Sequence, residues 1–187
     1  MSKSGNLFRG RLVRLVAPSE GDAAVLARWS EDAEYLRAVD SDYARPLSAE
    51  EFAFRLSPDQ ADPNRLEFHL RTLDKDRLIG FVALHSVEWS NGVAQLAIGI
   101  GEPAYRGKGY GTDALQVILR YAFQELNLYR VGLDVIATNT RALHTYEKLG
   151  FQREGRMRGA VLRDGQRTDR IYMGILRDEW HGMQEVV

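Results

Sequence analysis

Between a strand-like run and an amphipathic helix the chain reads Tyr105-Arg106-Gly107-Lys108-Gly109-Tyr110-Gly111-Thr112, with three glycines in five positions. Such a segment lets the backbone come close to a ligand with no Cβ in the way. The free N–H groups that open the helix point at that ligand, and the helix dipole favours negative charge there. The chain therefore needs a strand–loop–helix unit around this stretch, and the unit is a cradle for a phosphate-bearing molecule.

The flanking pattern supplies that unit. Ala94, Leu96, Ile98 and Ile100 alternate with Gln95, Ala97, Gly99 and Gly101, which predicts a strand whose second face is small. Residues 111–126 place Leu115, Ile118, Leu119, Ala122 and Leu126 on one helical face. Val131, Leu133 and Val135 predict another strand, and residues 139–149 a helix capped by Asn139 and stopped by Gly150. Upstream, residues 9–16 read as a strand ending before Pro18, and Ser19 caps a helix to about Trp29. Ser48 begins a short helix carrying Phe52, Phe54 and Leu56. Leu66, Phe68 and Leu70 alternate with Glu67, His69 and Arg71, as in a half-buried strand. Residues 78–84 are almost all apolar, which predicts a strand covered on both faces. Two last strands, near 151–158 and 168–176, flank a turn at Asp164-Gly165. Strand runs followed by β-α-β-α-β-β predict a mixed α/β sandwich.

At 187 residues and 44% hydrophobic, the chain is expected to form a single domain over residues 1–187. A net charge of −1 gives no field to recruit nucleic acid or an anionic membrane. There is no cysteine, which excludes disulfides, thiolate catalysis and cysteine-based metal sites, and no metal is expected. No stretch resembles a signal peptide or a membrane span, so a cytoplasmic protein is expected.

Two common phosphate motifs fail. A Walker loop would need glycine where Glu102 stands and Ser or Thr after Lys108, where Gly109 stands. A dinucleotide fingerprint forced onto residues 99–104 meets Pro103 and lies far from the first βα unit. The pattern that fits is Arg106-x-x-Gly109-x-Gly111. It resembles the acetyl-coenzyme A signature of the GNAT N-acetyltransferase superfamily. The segment Asn139-Thr140-Arg141-Ala142-Leu143-His144-Thr145-Tyr146-Glu147-Lys148-Leu149-Gly150-Phe151 is similar to that superfamily's second motif. The tail from Asp169 to Leu176, with Glu179 and Trp180, resembles the branch holding Rim-type ribosomal-protein and spermidine acetyltransferases. The resemblance implies a mostly antiparallel central sheet with a splayed strand pair and helices on both faces. It also implies acetyl-CoA as co-substrate, an amine-bearing small molecule or protein N-terminus as acceptor, and a homodimer as one assembly.

Roles follow residue by residue. The loop and helix start, Arg106, Gly107, Lys108, Gly109, Tyr110, Gly111 and Thr112, would hold the cofactor's diphosphate through main-chain N–H groups, with charge from Arg106 and Lys108. By the resemblance, the cofactor's amide arm pairs with the strand at Ile98 and Ile100, with Gly99 and Ala97 offering an open face, and Asn139 contacts the same arm. Tyr146 would protonate the departing thiolate, since a phenol near pKa 10 lies close enough to a thiol's. Relatives carry a glutamate base where Gln95 stands here, and glutamine accepts no proton. Glu88 is the candidate base, with His85 and His144 as substitutes. An alkylamine near pKa 10.4 needs such a base more than an α-amine near 7.7–8.0. Glu31, Asp32, Glu34, Asp40 and Asp42 form either an acidic wall for a cationic amine or a solvated, capping-rich loop. Arginines 153, 156, 158, 163, 167 and 170 suit either a carboxylate-bearing substrate or RNA, or are alternating surface charges. A non-catalytic acyl-CoA sensor with the same fold is the competing class.

Overall fold

The computed structural model describes residues 6–180. Its strands are β1 (Val13–Val16), β2 (Leu66–Thr72), β3 (Leu78–Glu88), β4 (Val93–Ile100), β5 (Arg130–Ile136), β6 (Gln152–Arg163) and β7 (Gln166–Leu176). They form one sheet in the order β1-β2-β3-β4-β5-β7-β6. Only β4 and β5 run parallel; every other neighbouring pair is antiparallel. The helices are α1 (Ala23–Ser30), α2 (Ala33–Val39), α3 (Ala49–Leu56), α4 (Tyr110–Arg120) and α5 (Thr140–Lys148). This is the mixed, mostly antiparallel sheet that the sequence implies. No helix among the described residues is long and apolar enough to cross a membrane.

Alternation along β4 separates two apolar layers. Ile98 and Ile100 pack on the main core, which joins Leu70, Val82, Leu84 and Leu96 to Leu115, Ile118 and Leu119 of α4 and Leu143 of α5. Gly99, between them, faces Tyr35 and Val39 of α2. The second layer, Leu26, Trp29, Tyr35 and Leu78, lies there under α1 and α2. Each leucine or isoleucine fully buried on the α4 face stabilises the fold by about 1.5–3 kcal/mol. The α4 helix ends at Arg120 and passes into a π-helical turn over Tyr121–Glu125, where the predicted helix ran on uninterrupted. Leu126 N–H reaches Tyr121 carbonyl across it at 3.0 Å.

Other differences have local causes. β1 pairs with β2 only from Val13, because a buried carboxylate holds the chain before it. Asp113, on α4, accepts the N–H groups of Arg11, Leu12 and Val13 at 2.9, 2.8 and 3.0 Å. β6 continues to Arg163, so the last hairpin closes on the two residues Asp164 and Gly165, both at positive φ. β2 is not half-buried as the alternation implied. His69 is 0% exposed; its Nδ1 lies 2.7 Å from Asp22, in the turn that leads into α1, and Asp22 also takes Arg71 at 2.6 Å.

Candidate active site

The two parallel strands hold register only over Val93–Gln95 against Arg130–Gly132. Beyond Gln95 they part, and β5 stays with β7 as far as Ile136. Alternate peptide groups of β4 from Leu96 to Ile100 thus face a gap with no strand partner. The gap is a cleft of about 830 Å³. Ile98, Gly99 and Ile100 line one wall, Asp134, Val135 and Ile136 the other, and Asn139, Arg141, Ala142 and Tyr146 come from α5. Gly107, Gly109, Gly111 and Thr112 close one end.

The glycine loop is built for approach from outside. Gly107 and Gly109 have φ of +74° and +87°, a region that L side chains rarely adopt. Gly109 caps α4 with no side chain, whereas Asp32, Ser48 and Asn139 cap α2, α3 and α5 with theirs. The orphan N–H groups of α4 are therefore left to whatever enters the cleft. A cation from α5 stands beside the loop, one to which the sequence motifs assign no role. Arg141 Nη1 lies 3.7 Å from where a Gly107 Cβ would stand. Its place in the first turn of α5, two residues after the cap, was the available signal.

The cationic residues of the loop itself behave differently from expectation. Arg106 lines the cleft but its guanidinium is spent inside the protein, on Ile100 and Gly101 carbonyls at 2.9 and 2.7 Å and on Asp32 at 2.9 Å. Lys108 is exposed and outside the cleft lining, and Tyr110 packs edge-on against Tyr105. Gly99 does not offer an open face, since a Cβ there would meet Tyr35 Oη, Phe81 and Val39 within 3 Å. Asn139 Oδ1 is taken by Ala142 N–H at 3.2 Å.

Tyr146 reaches the cleft from α5, with its ring edge-on to Phe151 at 5.7 Å. Burial, and then the charge of Asp134, push its hydroxyl up to about 12. Glu88 is not brought to it. That carboxylate sits exposed where β3 ends, held by Asn91 at 2.6 Å, and is absent from the cleft lining. His144 is exposed on α5 and also outside the lining. Gln95 lies over Gly132 where the strands part. His85 is the imidazole in the cleft. Burial first, and then the Arg65 charge, hold it below its ordinary value, with Asp134 opposing. A neutral imidazole can accept a proton, and a protonated phenol lines the same cleft.

Of the acidic residues, Glu34 and Asp40 line the cleft, and part of the set is used within the protein. Asp32 caps α2 and holds Arg106, while Asp40 and Asp42 cap turns of their own segment. Most of the arginines between positions 153 and 170 are likewise engaged: Arg153 with Glu147, Arg156 with Asp169, Arg163 with the carbonyls of Asp40 and Asp42, and Arg170 with Ser41.

A splayed parallel pair with an uncapped glycine-led helix at its mouth agrees with the comparison of sequences: residues 12–152 match the acetyltransferase (GNAT) domain. The chain belongs to that family and is an N-acetyltransferase of the GNAT type. It is 32% identical over 141 residues to the protein named "Putative ribosomal N-acetyltransferase YdaF" of Bacillus subtilis (strain 168), covering 73% of this chain and 75% of that one. It is 36% identical over 101 residues to the spermidine N(1)-acetyltransferase of Escherichia coli (strain K12), covering 54% of each chain. Its fold matches the spermidine N-acetyltransferase of Vibrio cholerae, solved with CoA and spermine, at a TM-score of 0.82 and 25% identity over 90% of this chain and 98% of that one.

Proposed function

We propose that the chain moves the acetyl group of acetyl-CoA directly onto a primary amine within the β4–β5 cleft. One observation carries this reading: the uncapped start of α4, the unpartnered edge of β4, His85 and Tyr146 all open into one space. The V. cholerae neighbour's complex with CoA and spermine supports it.

The residues suit the cofactor. Main-chain N–H groups of residues 107–112 and the Arg141 guanidinium would hold its diphosphate. The β4 edge at Ile98 and Ile100 would pair with its amide arm as an added strand does. When bound, acetyl-CoA supplies an activated thioester. His85 takes the proton from the attacking amine nitrogen, and Tyr146 Oη gives its proton to the departing sulfur. Transfer runs directly in a ternary complex, and the absence of cysteine removes a thiol acyl-enzyme as the alternative.

Calorimetry with CoA and thiol release from acetyl-CoA with an amine panel test this reading. Binding and amine-dependent release are expected. No affinity for CoA overturns it, and tight binding without release for any amine favours the acyl-CoA sensor. Arg141→Ala is expected to weaken CoA binding by about tenfold, as loss of a charged contact does.

A further inference from the structure

A second cavity of about 600 Å³ lies beneath α1, α2 and α3, and nothing above assigns it a role. It adjoins the cleft, and Tyr35, Val39, Asp40, Arg65 and Phe81 line both. Its body is apolar and aromatic, with Trp29, Phe52 and Leu56 beside Tyr35 and Phe81. Such a cavity takes a bulky apolar group.

The charges at its edge are unequally used. Three carboxylates line it, one held by a guanidinium and two by a single main-chain N–H each. Glu67 is held by Arg65 at 2.5 Å, Asp40 accepts Asp42 N–H at 2.9 Å, and Asp42 accepts Tyr43 N–H at 2.8 Å. Three guanidiniums line it as well: Arg45, Arg55 and Arg65. Arg55 makes no ion pair or hydrogen bond among the described residues. Arg65 spends Nε and Nη2 on a single oxygen of Glu67, leaving Nη1. Arg55 and the Nη1 of Arg65 thus offer a carboxylate donors that are not already spent.

Position sharpens the point. β2 pairs with β3 from Leu66 opposite Leu84, which sets Arg65 beside His85 at the junction of the two cavities. A carboxylate on Arg65 holds an adjacent amine at the imidazole, with a side chain on the same carbon directed into the aromatic cavity.

We propose, resting on the N-acetyltransferase reading above, that the acceptor is an α-amino acid with a large apolar side chain, its carboxylate held by Arg65 and its side chain in the second cavity. The reaction balances as before. The amine N–C bond forms and the thioester C–S bond breaks; the amine proton passes to His85 and the sulfur takes one from Tyr146. The products are an N-acetyl amino acid and CoA.

Thiol release from acetyl-CoA is measured with L-tryptophan, L-phenylalanine, their carboxamides and spermidine. The free acids are expected to exceed their carboxamides by about tenfold or more in kcat/KM, and to exceed spermidine. Removing the carboxylate lowers the basicity of the amine, which works against this result and makes a preference for the acid report the contact. In Arg65→Ala the ratio of acid to carboxamide falls toward one; calorimetry with CoA reports that the variant is folded, and Arg65→Lys restores part of the ratio. Carboxamides used as well as acids, spermidine preferred, or a CoA-binding Arg65→Ala that keeps the ratio each overturn the proposal. CoA binding by the wild type with no release for either amino acid overturns it alone. Absence of CoA binding overturns the underlying reading as well.

Discussion

The guanidinium of Arg106 turns back from the glycine loop and meets the carboxylate of Asp32, 74 residues earlier, at 2.9 Å. The same carboxylate caps α2 by accepting Tyr35 N–H at 3.1 Å. Accepting that N–H, and then Arg106, keeps the Asp32 carboxyl below its usual range. Arg106 also lies over the Tyr35 ring, 5.2 Å from its centroid, and ties down the end of β4. One planar side chain thus joins the loop, the strand and α2. A lysine has no such fork. Arg106→Lys is expected to weaken CoA binding by about tenfold and to cost about 1–3 kcal/mol of stability. Calorimetry and urea unfolding measure the two; a variant unchanged in both removes the brace.

The second anchor of α4 is Asp113, whose carboxylate takes three consecutive N–H groups from the segment before β1. Only 7% of the residue is exposed, so the bonds are made largely out of water. An amide in its place turns a donor toward those donors. Asp113→Asn is expected to cost about 2–3 kcal/mol, read as a lower urea midpoint at constant m-value. A midpoint within error of the wild type contradicts this role.

These two anchors mark the limit of what the sequence disclosed. The strand, loop and helix around the glycines, the Asn139 cap and the closing hairpin were legible, because their signals are local: period, capping residue and turn residue. Arg106 reads as a phosphate ligand in the sequence, because its charged partner, Asp32, lies 74 residues away. α2 was read as part of an acidic loop. It has only seven residues, and its acids mask the apolar set Tyr35, Leu36 and Val39 that packs it down. His69 was placed on a solvated face, as alternation tells which residues share a face and not what covers it. Glu88 is a candidate base by its place along the chain, and the register shift between His85 and Glu88 at the end of β3 leaves it exposed, outside the cleft lining.

His85 makes the pH dependence specific. Its pKa lies below the ordinary 6.5, so the acid limb of kcat is expected below that value and the rate level above it. The neighbouring Arg65 charge contributes to the depression after burial, so Arg65→Ala is expected to move the limb upward. His85→Gln is expected to abolish the limb and to lower kcat on the order of a hundredfold. An unchanged profile in His85→Gln would assign the base elsewhere.

Tyr146 is set to keep its proton until the sulfur needs one. Burial and the Asp134 charge raise its hydroxyl to about 12, so it is protonated throughout the physiological range. Phe151 steadies the ring edge-on, a contact that phenylalanine at position 146 would keep. Tyr146→Phe therefore removes the hydroxyl and little else. A fall in kcat on the order of a hundredfold is expected, with CoA affinity unchanged by calorimetry. Acceptors with better-stabilised amines do not rescue it, because the missing proton belongs to the leaving group. An acetyl donor whose leaving thiol is more acidic is expected to recover part of the loss, since its thiolate departs without help. Equal deficits for both donors would make Tyr146 a packing residue of α5.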